Sequence, residues 1–196
     1  MPGRRKQDHF GRRARRSGYP ARSVYKLEEI DRRIGLFKKG QRVLDLGASP
    51  GSWTLYAAEC VGPSGRVLGI DLNDPEAALP PHAEIRTLDA FAVDPKKLGG
   101  PFDVVISDMA PKTSGQRHAD QYRSYELFVR ALGLATLVLE PGGHFVGKIF
   151  QGSEFGDARN AVRKAFEKVR VIRPEATRDE SYEVFLVGLG RRDTTA

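Results

Sequence analysis

The stretch Asp45-Leu46-Gly47-Ala48-Ser49-Pro50-Gly51-Ser52-Trp53, DLGASPGSW, follows the apolar lead-in Arg42-Val43-Leu44. A glycine loop directly after a strand, with a helix opening behind it, brings backbone N–H groups and a helix N-terminus up to a ligand. Two phosphate-binding forms of that loop are excluded. The dinucleotide fingerprint needs glycines in a G-x-G-x-x-G array, and the third residue after Gly47 is Pro50. The P-loop needs Gly-Lys-Ser/Thr, which is absent. Gly47 lets a ligand approach the backbone closely, Pro50-Gly51 sets a tight turn, and the helix start favours a carboxylate as readily as a phosphate.

Outward from this loop, short apolar runs recur at 42–46, 66–70, 84–88, 102–107, 144–149, 169–173 and 183–189. The first five are rich in Val, Ile and Leu on both faces, as buried parallel strands are. Ser23 is placed to cap a helix in which Leu27, Ile30 and Ile34 share a face, ending near Gly35. Tyr122, Tyr125, Phe128, Val129, Leu132, Ala135 and Leu139 keep a helical period, as do Phe155, Ala158, Val162, Ala165, Phe166 and Val169. Pro141-Gly142-Gly143 reads as the end of the longer helix and the start of the next strand. The alternation predicts an α/β fold, a doubly wound Rossmann-like sheet of about seven strands with helices on both faces. Only residues 174–181 separate the last two strands, too few for a parallel crossover, so the C-terminal pair is expected to be antiparallel. A mostly parallel sheet ending in this way is the architecture associated with class I S-adenosylmethionine-dependent methyltransferases. Nicotinamide-binding folds normally finish with parallel strands. Only the N-terminal arm and the 73–83 loop look irregular.

With 196 residues, 40% apolar and 29% charged, the chain suits one globular domain long enough to bury a full core. No apolar run nears the roughly 18–20 residues of a membrane span, and the charged N-terminus lacks the apolar segment of a secretory signal. Cys60 is the single cysteine, which excludes an internal disulfide and suits a reducing cytoplasm. It falls on an amphipathic helix as an inert, buried thiol. Charge is unevenly placed. Arg4, Arg5, Lys6, Arg12, Arg13, Arg15, Arg16, Arg22 and Lys26 face only Asp8, so residues 1–27 carry +8; the whole chain is +7, leaving −1 for the rest. This arm, interleaved with His9, Phe10 and Tyr19, reads as an electrostatic footprint for nucleic acid rather than a solubilising tail. It has no apolar stripe at helical spacing, which argues against a membrane surface. The expected organisation is a basic arm over 1–22, a catalytic domain over 23–192 and a short tail over 193–196.

Asp71, in GIDL, ends the second strand, where a carboxylate accepts from both ribose hydroxyls. Asp89, in TLDAF, ends the third, placed to accept from an adenine amino group. Each Asp alone is more often a turn residue or cap. A glycine loop and two acids on three successive strand ends fit an adenosine with a zwitterionic tail, with nothing to cradle a pyrophosphate. A second constellation joins Asp108 (SDMAPKTSG), Lys148 (GKIFQG), Lys26 (RSVYKL) and Glu183 (SYEVFLVG). A lysine inside an apolar strand is unusual, and two lysines with two acids in one pocket would compensate one another.

The motifs ARSVYKLEEID, VLDLGASPGSW, SDMAPKTSG, PGGHFVGKIFQG and SYEVFLVG resemble those of the FtsJ-type RNA 2′-O-ribose methyltransferases, from about residue 19 to residue 191. The likeness is greatest to the bacterial branch acting on large-subunit ribosomal RNA. The resemblance implies a Lys-Asp-Lys-Glu tetrad at Lys26, Asp108, Lys148 and Glu183. It also implies S-adenosylmethionine held by Gly51, Trp53, Asp71, Asp89 and Asp108, to which the loop's own Gly47 is added. Ser52 stands where a second glycine is common in that family, Lys112 where asparagine is frequent, and TRDESYEVF departs from its serine-arginine-rich run. Ribosomal RNA, of the large subunit, is the implied partner, read by Arg12, Arg13, Arg15, Arg16, Arg22 and Lys112, with the protein acting as a monomer in the cytoplasm.

The implied chemistry is in-line attack of a ribose hydroxyl on a sulfonium methyl. The electrophile is already charged, so no metal is called for, and the four histidines lack ligand spacing. Lys148 is the candidate proton acceptor or orienter, with Asp108 positioning it. A lysine base must be neutral part of the time, a state that a neighbouring cation and burial favour and carboxylates oppose. The four groups should titrate as one set. An NAD-dependent oxidoreductase would leave Lys26 and Glu183 idle; a silent ribosome-assembly factor would not need the tetrad; transfer RNA and cap substrates remain open.

Overall fold

The computed structural model describes residues 2–178 and 180–193, with side chains placed from residue 9 onward. Seven strands form one sheet in the order β3-β2-β1-β4-β5-β7-β6. They are β1 (Arg42–Leu46), β2 (Arg66–Asp71), β3 (Ala83–Thr87), β4 (Phe102–Ser107), β5 (Leu139–Phe150), β6 (Phe166–Ile172) and β7 (Glu183–Arg191). The helices are α1 (Pro2–Arg16), α2 (Val24–Ile34), α3 (Ser52–Val61), α4 (Arg117–Val138) and α5 (Phe155–Ala165). Strands β1 to β5 pair in parallel, whereas β7 runs antiparallel between β5 and β6. The expected α/β fold with an antiparallel C-terminal pair is the fold observed.

The sheet separates two cores. Leu27 and Ile30 of α2 and Trp53, Ala57, Ala58 and Val61 of α3 pack on Val43, Val67, Val104, Ile106, Val146, Phe185 and Val187. On the opposite face, Phe128, Leu132 and Ala135 of α4 and Ala158 and Val162 of α5 pack on Leu44, Leu46, Ile70, Val105, Phe145 and Leu186. Alternate residues of each strand thus supply the two layers, the period-two rule at work on a sheet buried on both sides. Losing a side chain such as Phe185, which is fully buried, costs about 3–5 kcal/mol.

Several sequence expectations need correction. The basic arm is not irregular. Residues 2–16 form α1, with Ala14 buried against Val24, Tyr25 and Ala176, flanked by Phe10 and Tyr19. Side chains of Arg4, Arg5, Lys6 and Asp8, and the tail residues 194–196, lie outside the described residues. Ser23 precedes α2 in helical backbone geometry and its side chain makes no cap bond, although Gly35 does end the helix with φ 63°. β3 is half-buried rather than buried, because it is the sheet's edge. Phe166 and Val169 belong to β6, not to the preceding helix, since α5 stops at Ala165. Pro141-Gly142-Gly143 lies within β5, opposite a register irregularity between Phe102 and Val104.

Candidate active site

The parallel strands end at one rim of the sheet, and there the glycine loop, Asp71, Asp89 and Asp108 line a cleft of about 390 Å³. Gly47 has φ 79°, and a Cβ on it would stand 2.7 Å from Met109 Cγ, on which the loop packs directly. Only glycine keeps this approach open. The loop is pinned from below, as the N–H groups of Gly47 and Ala48 both donate to the Ile70 carbonyl, at 2.9 and 3.1 Å. Asp71 closes the far side, accepting from Ser49 N at 3.1 Å and from Asn73 N and Nδ2 at 2.8 and 3.0 Å. Asp89 lies two residues beyond the end of β3, where its Oδ1 accepts from Phe91 N at 2.8 Å. Each carboxylate keeps lone pairs for a ligand, because a carboxylate has about four acceptor sites.

Apolar walls complete the cleft. Ile70, Leu72, Leu88, Phe91, Met109 and Leu127 line it, and Leu72 and Phe91 are 68% and 54% exposed. Single exposed apolar residues are ordinary. Two that flank strand-end acids in one cleft match a flat aromatic ligand. They sit beside the acids in GIDL and TLDAF, where sequence reading attended only to the Asp. The donor set suits S-adenosylmethionine: apolar faces for adenine, carboxylates for hydroxyls and an amino group, and negative charge near a sulfonium. Asp71 and Asp89, unpaired with any cation among the described residues of the cleft wall but facing Lys112, disfavour a pyrophosphate.

Beneath the loop, Asp45 is fully buried. Its Oδ2 accepts from Thr54 Oγ1 at 2.7 Å, and its Oδ1 has no hydrogen-bond partner. Burial pushes its carboxyl up to about pH 7 against the Thr54 hydrogen bond, helped by the charges of Asp108 and Asp71. Nothing in the local sequence marks Asp45 for this role, because burial of a strand residue's polar end is set by the layers packed over it.

The second constellation also assembles, as two ion pairs. Lys148 Nζ donates to Asp108 Oδ1 at 2.8 Å and to the Asp108 carbonyl at 2.6 Å. Lys26 Nζ pairs with Glu183 Oε1. The Lys148 and Asp108 side chains are 6% and 18% exposed, those of Lys26 and Glu183 13% and 11%, so both pairs are largely dehydrated. Register explains the placement. Lys148 is opposite Phe185, and Phe150 opposite Glu183, in the antiparallel β5–β7 ladder, so these side chains share the sheet face covered by α2 and α3. Asp108 follows the last residue of β4, which lies beside β5.

Other expected residues fall elsewhere. Gly51 precedes α3 with φ 110°, and its Cα faces Ala77 rather than the cleft. The Trp53 indole is 3% exposed, packed on Phe185, with Nε1 donating to the Ser23 carbonyl at 2.9 Å. Arg12, Arg13 and Arg16 line one shallow concavity with His9 and Ser17 on α1. Arg13 also lies over the Tyr25 ring and near Glu28. Arg15 is exposed on the same helix, and Lys112 lies in the cleft wall on a loop that Asp120 anchors through Ser114 and Gly115. Cys60 is half-buried rather than buried, and burial raises its thiol to about 11, keeping it protonated. Among the described residues no His/Cys/Asp/Glu group is arranged to hold a metal ion. No helix among them is long and apolar enough to cross a membrane.

A doubly wound sheet with this strand order and a strand-end cleft of acids, glycines and apolar walls defines a Rossmann-like methyltransferase. The family model of the FtsJ-like methyltransferases matches residues 19–191, and the chain belongs to that family. A protein named ribosomal RNA large subunit methyltransferase E from Sorangium cellulosum is 54% identical over 190 residues, covering 96% of this chain and 90% of its own. One of the same name from Myxococcus xanthus is 48% identical, covering 96% and 91%. Among solved structures, a Plasmodium falciparum chain described as a ribosomal RNA methyltransferase superposes with a TM-score of 0.76 at 24% identity, covering 88% of this chain and 98% of that one. At that identity the likeness speaks for the fold alone.

Proposed function

We propose that this chain transfers a methyl group from S-adenosylmethionine to a ribose 2′-hydroxyl of large-subunit ribosomal RNA, a uridine being the expected nucleotide. The observation that carries the reading is the pair of dehydrated ion pairs, Lys148–Asp108 and Lys26–Glu183, gathered by β4, β5, β7 and α2. Full-length relatives named for this substrate class support the RNA target. S-adenosylmethionine, when bound, supplies a methyl group on a positively charged sulfur.

The chain's own residues do the rest. Asp71 takes the ribose hydroxyls of the cofactor, Asp89 the adenine amino group, and Leu72, Leu88 and Phe91 the adenine faces. The glycine loop at Gly47 receives the amino-acid end, with Gly51 and the Trp53 backbone beside it. Asp108 holds Lys148 Nζ by two acceptors, so the lysine's lone pair, once a proton has left, has one direction to face. The RNA 2′-hydroxyl would pass its proton to the neutral Lys148 amine as its oxygen bonds to the methyl carbon and the carbon–sulfur bond breaks, with S-adenosylhomocysteine as the leaving group. Glu183 and Lys26 hold the ribose, and alignment supplies much of the rate. Arg12, Arg13, Arg15 and Arg16 of α1, with Arg22 and Lys112, track phosphates, which makes RNA binding fall steeply with salt. The expected setting is the cytoplasm, with the chain acting as a monomer.

The test is transfer of labelled methyl to large-subunit RNA from a strain lacking this protein, free and within the subunit. Label should appear at one 2′-position. Equal methylation of an RNA carrying 2′-deoxyribose at that position would exclude the ribose assignment.

A further inference from the structure

Residues 19–23, between α1 and α2, run along α3 and are fastened to it at every second position. The Tyr19 hydroxyl donates to Glu59, the Ala21 N–H donates to Ser52 Oγ at 2.7 Å, and the Ser23 carbonyl accepts from Trp53 Nε1 at 2.9 Å. The Ser23 carbonyl also accepts from Lys26 N at 3.0 Å, the first-turn bond that starts α2. Between the fastenings, Arg22 is half-buried near Arg178 and Glu183; burial and Arg178 lower its pKa, and Glu183 opposes them. The strap therefore ends three residues before Lys26, which pairs with Glu183, and Arg22 within it feels the charge of the same acid.

Ser52 is the middle fastening and the least expected. It is 1% exposed, opens α3 directly behind the glycine loop, and does not line the cleft. It is the first residue of α3, behind the N-cap Gly51, and its hydroxyl accepts from a backbone N–H 31 residues away.

We propose that Ser52 is a positioning residue for methyl transfer: by holding the 19–23 strap on α3 it sets the start of α2, and so the place where Lys26 meets Glu183. The proposal rests on the methyl-transfer reading above. Removing the hydroxyl leaves the Ala21 N–H without its acceptor and lets the strap lift, moving Lys26 without touching the cofactor cleft.

Ser52→Ala should lower kcat about tenfold, a loss typical of one partly buried hydrogen bond expressed in alignment. Affinity for S-adenosylhomocysteine, by calorimetry, should stay within about twofold. Trp53 is the only tryptophan, so its indole N–H resonance reports the joint and should shift in Ser52→Ala. Ser52→Thr, which keeps the hydroxyl, should recover most of the turnover. Wild-type turnover in Ser52→Ala, loss of cofactor affinity in step with kcat, or a Ser52→Thr protein no faster than Ser52→Ala would each overturn the proposal. A wild-type protein that methylates no ribosomal RNA overturns the methyl-transfer reading as well. An active wild type beside an unaffected Ser52→Ala overturns this proposal alone.

Discussion

In the parallel half of the sheet, β3-β2-β1-β4, the cleft is built from the ends of successive strands: the glycine loop after β1, Asp71 at the end of β2, Asp89 after β3 and Asp108 after β4. In the antiparallel half, β5-β7-β6, nothing comes from a strand end in that order. Lys148 lies inside β5 and Glu183 at the start of β7, and ladder register sets them on one face, offset by two residues. Their counter-ions arrive from β4's end and from α2. The parallel half makes a ligand site that any doubly wound fold can carry. In the proposed methyl transfer the antiparallel half adds the reacting groups, and Asp108 belongs to both.

If that division holds, the halves can be broken separately. The largest effect belongs to the antiparallel half. Lys148→Ala should cut turnover about a thousandfold or more, within the range a positioned proton-transfer group supplies, while cofactor affinity by calorimetry stays near wild type. Retained turnover would remove Lys148 from the proton path. A thermal melt is needed alongside, because removing one member of a dehydrated pair leaves Asp108 without its cation.

A smaller and opposite effect belongs to the parallel half. Asp71→Ala removes a charged acceptor and should weaken cofactor binding about 10–100-fold, matching about 1.5–3 kcal/mol for hydrogen bonds to a charged group. At saturating cofactor, kcat should recover to within severalfold of wild type. Collapse of kcat at saturation would mean that the two halves are not separable.

The smallest effect on activity and the clearest on pH concerns Asp45, under the loop. Its folded pKa, about 7, lies above the unfolded carboxylate value, so its contribution to stability is fully present below about pH 4. That contribution is lost as pH rises through about 7. Asp45→Asn cannot ionise. Relative to it, the wild type should lose stability between about pH 4 and 7 and level off above, as read from urea midpoints. A difference that stays flat with pH would show that the Asp45 carboxyl titrates in its ordinary range.

The legibility of these features follows from their physics. Strand-end acids and the glycine loop are local: periodicity places the strand, and a polar residue or glycine at its end marks the rim. The antiparallel pair was legible because eight residues cannot form a crossover. Beyond the resemblance, the sheet face that Lys148 shares with Glu183 was not legible, since register across β5 and β7 is set by side-chain layers on both faces. Trp53 shows the same limit. It lies in the loop motif, yet its indole turns into the α2–α3 core, where Phe185 and the Ser23 carbonyl hold it. The arm misled in another way. Its cations read as unstructured, whereas Phe10, Ala14 and Tyr19 give α1 a small apolar contact with Tyr25 and Ala176, too sparse to register as a stripe.

By itself, the sequence determined the strand–helix alternation, the antiparallel ending, the rim that carries Asp71, Asp89 and Asp108, and the uneven charge. Each is written in local spacing or composition. Tertiary structure alone decided which charges pair, which face Lys148 shares with Glu183, that Asp45 is sealed from water, and that Ser52 serves a strap from far upstream. Those outcomes depend on sheet register and on layers packed across it, and both arise only when distant segments close on one another.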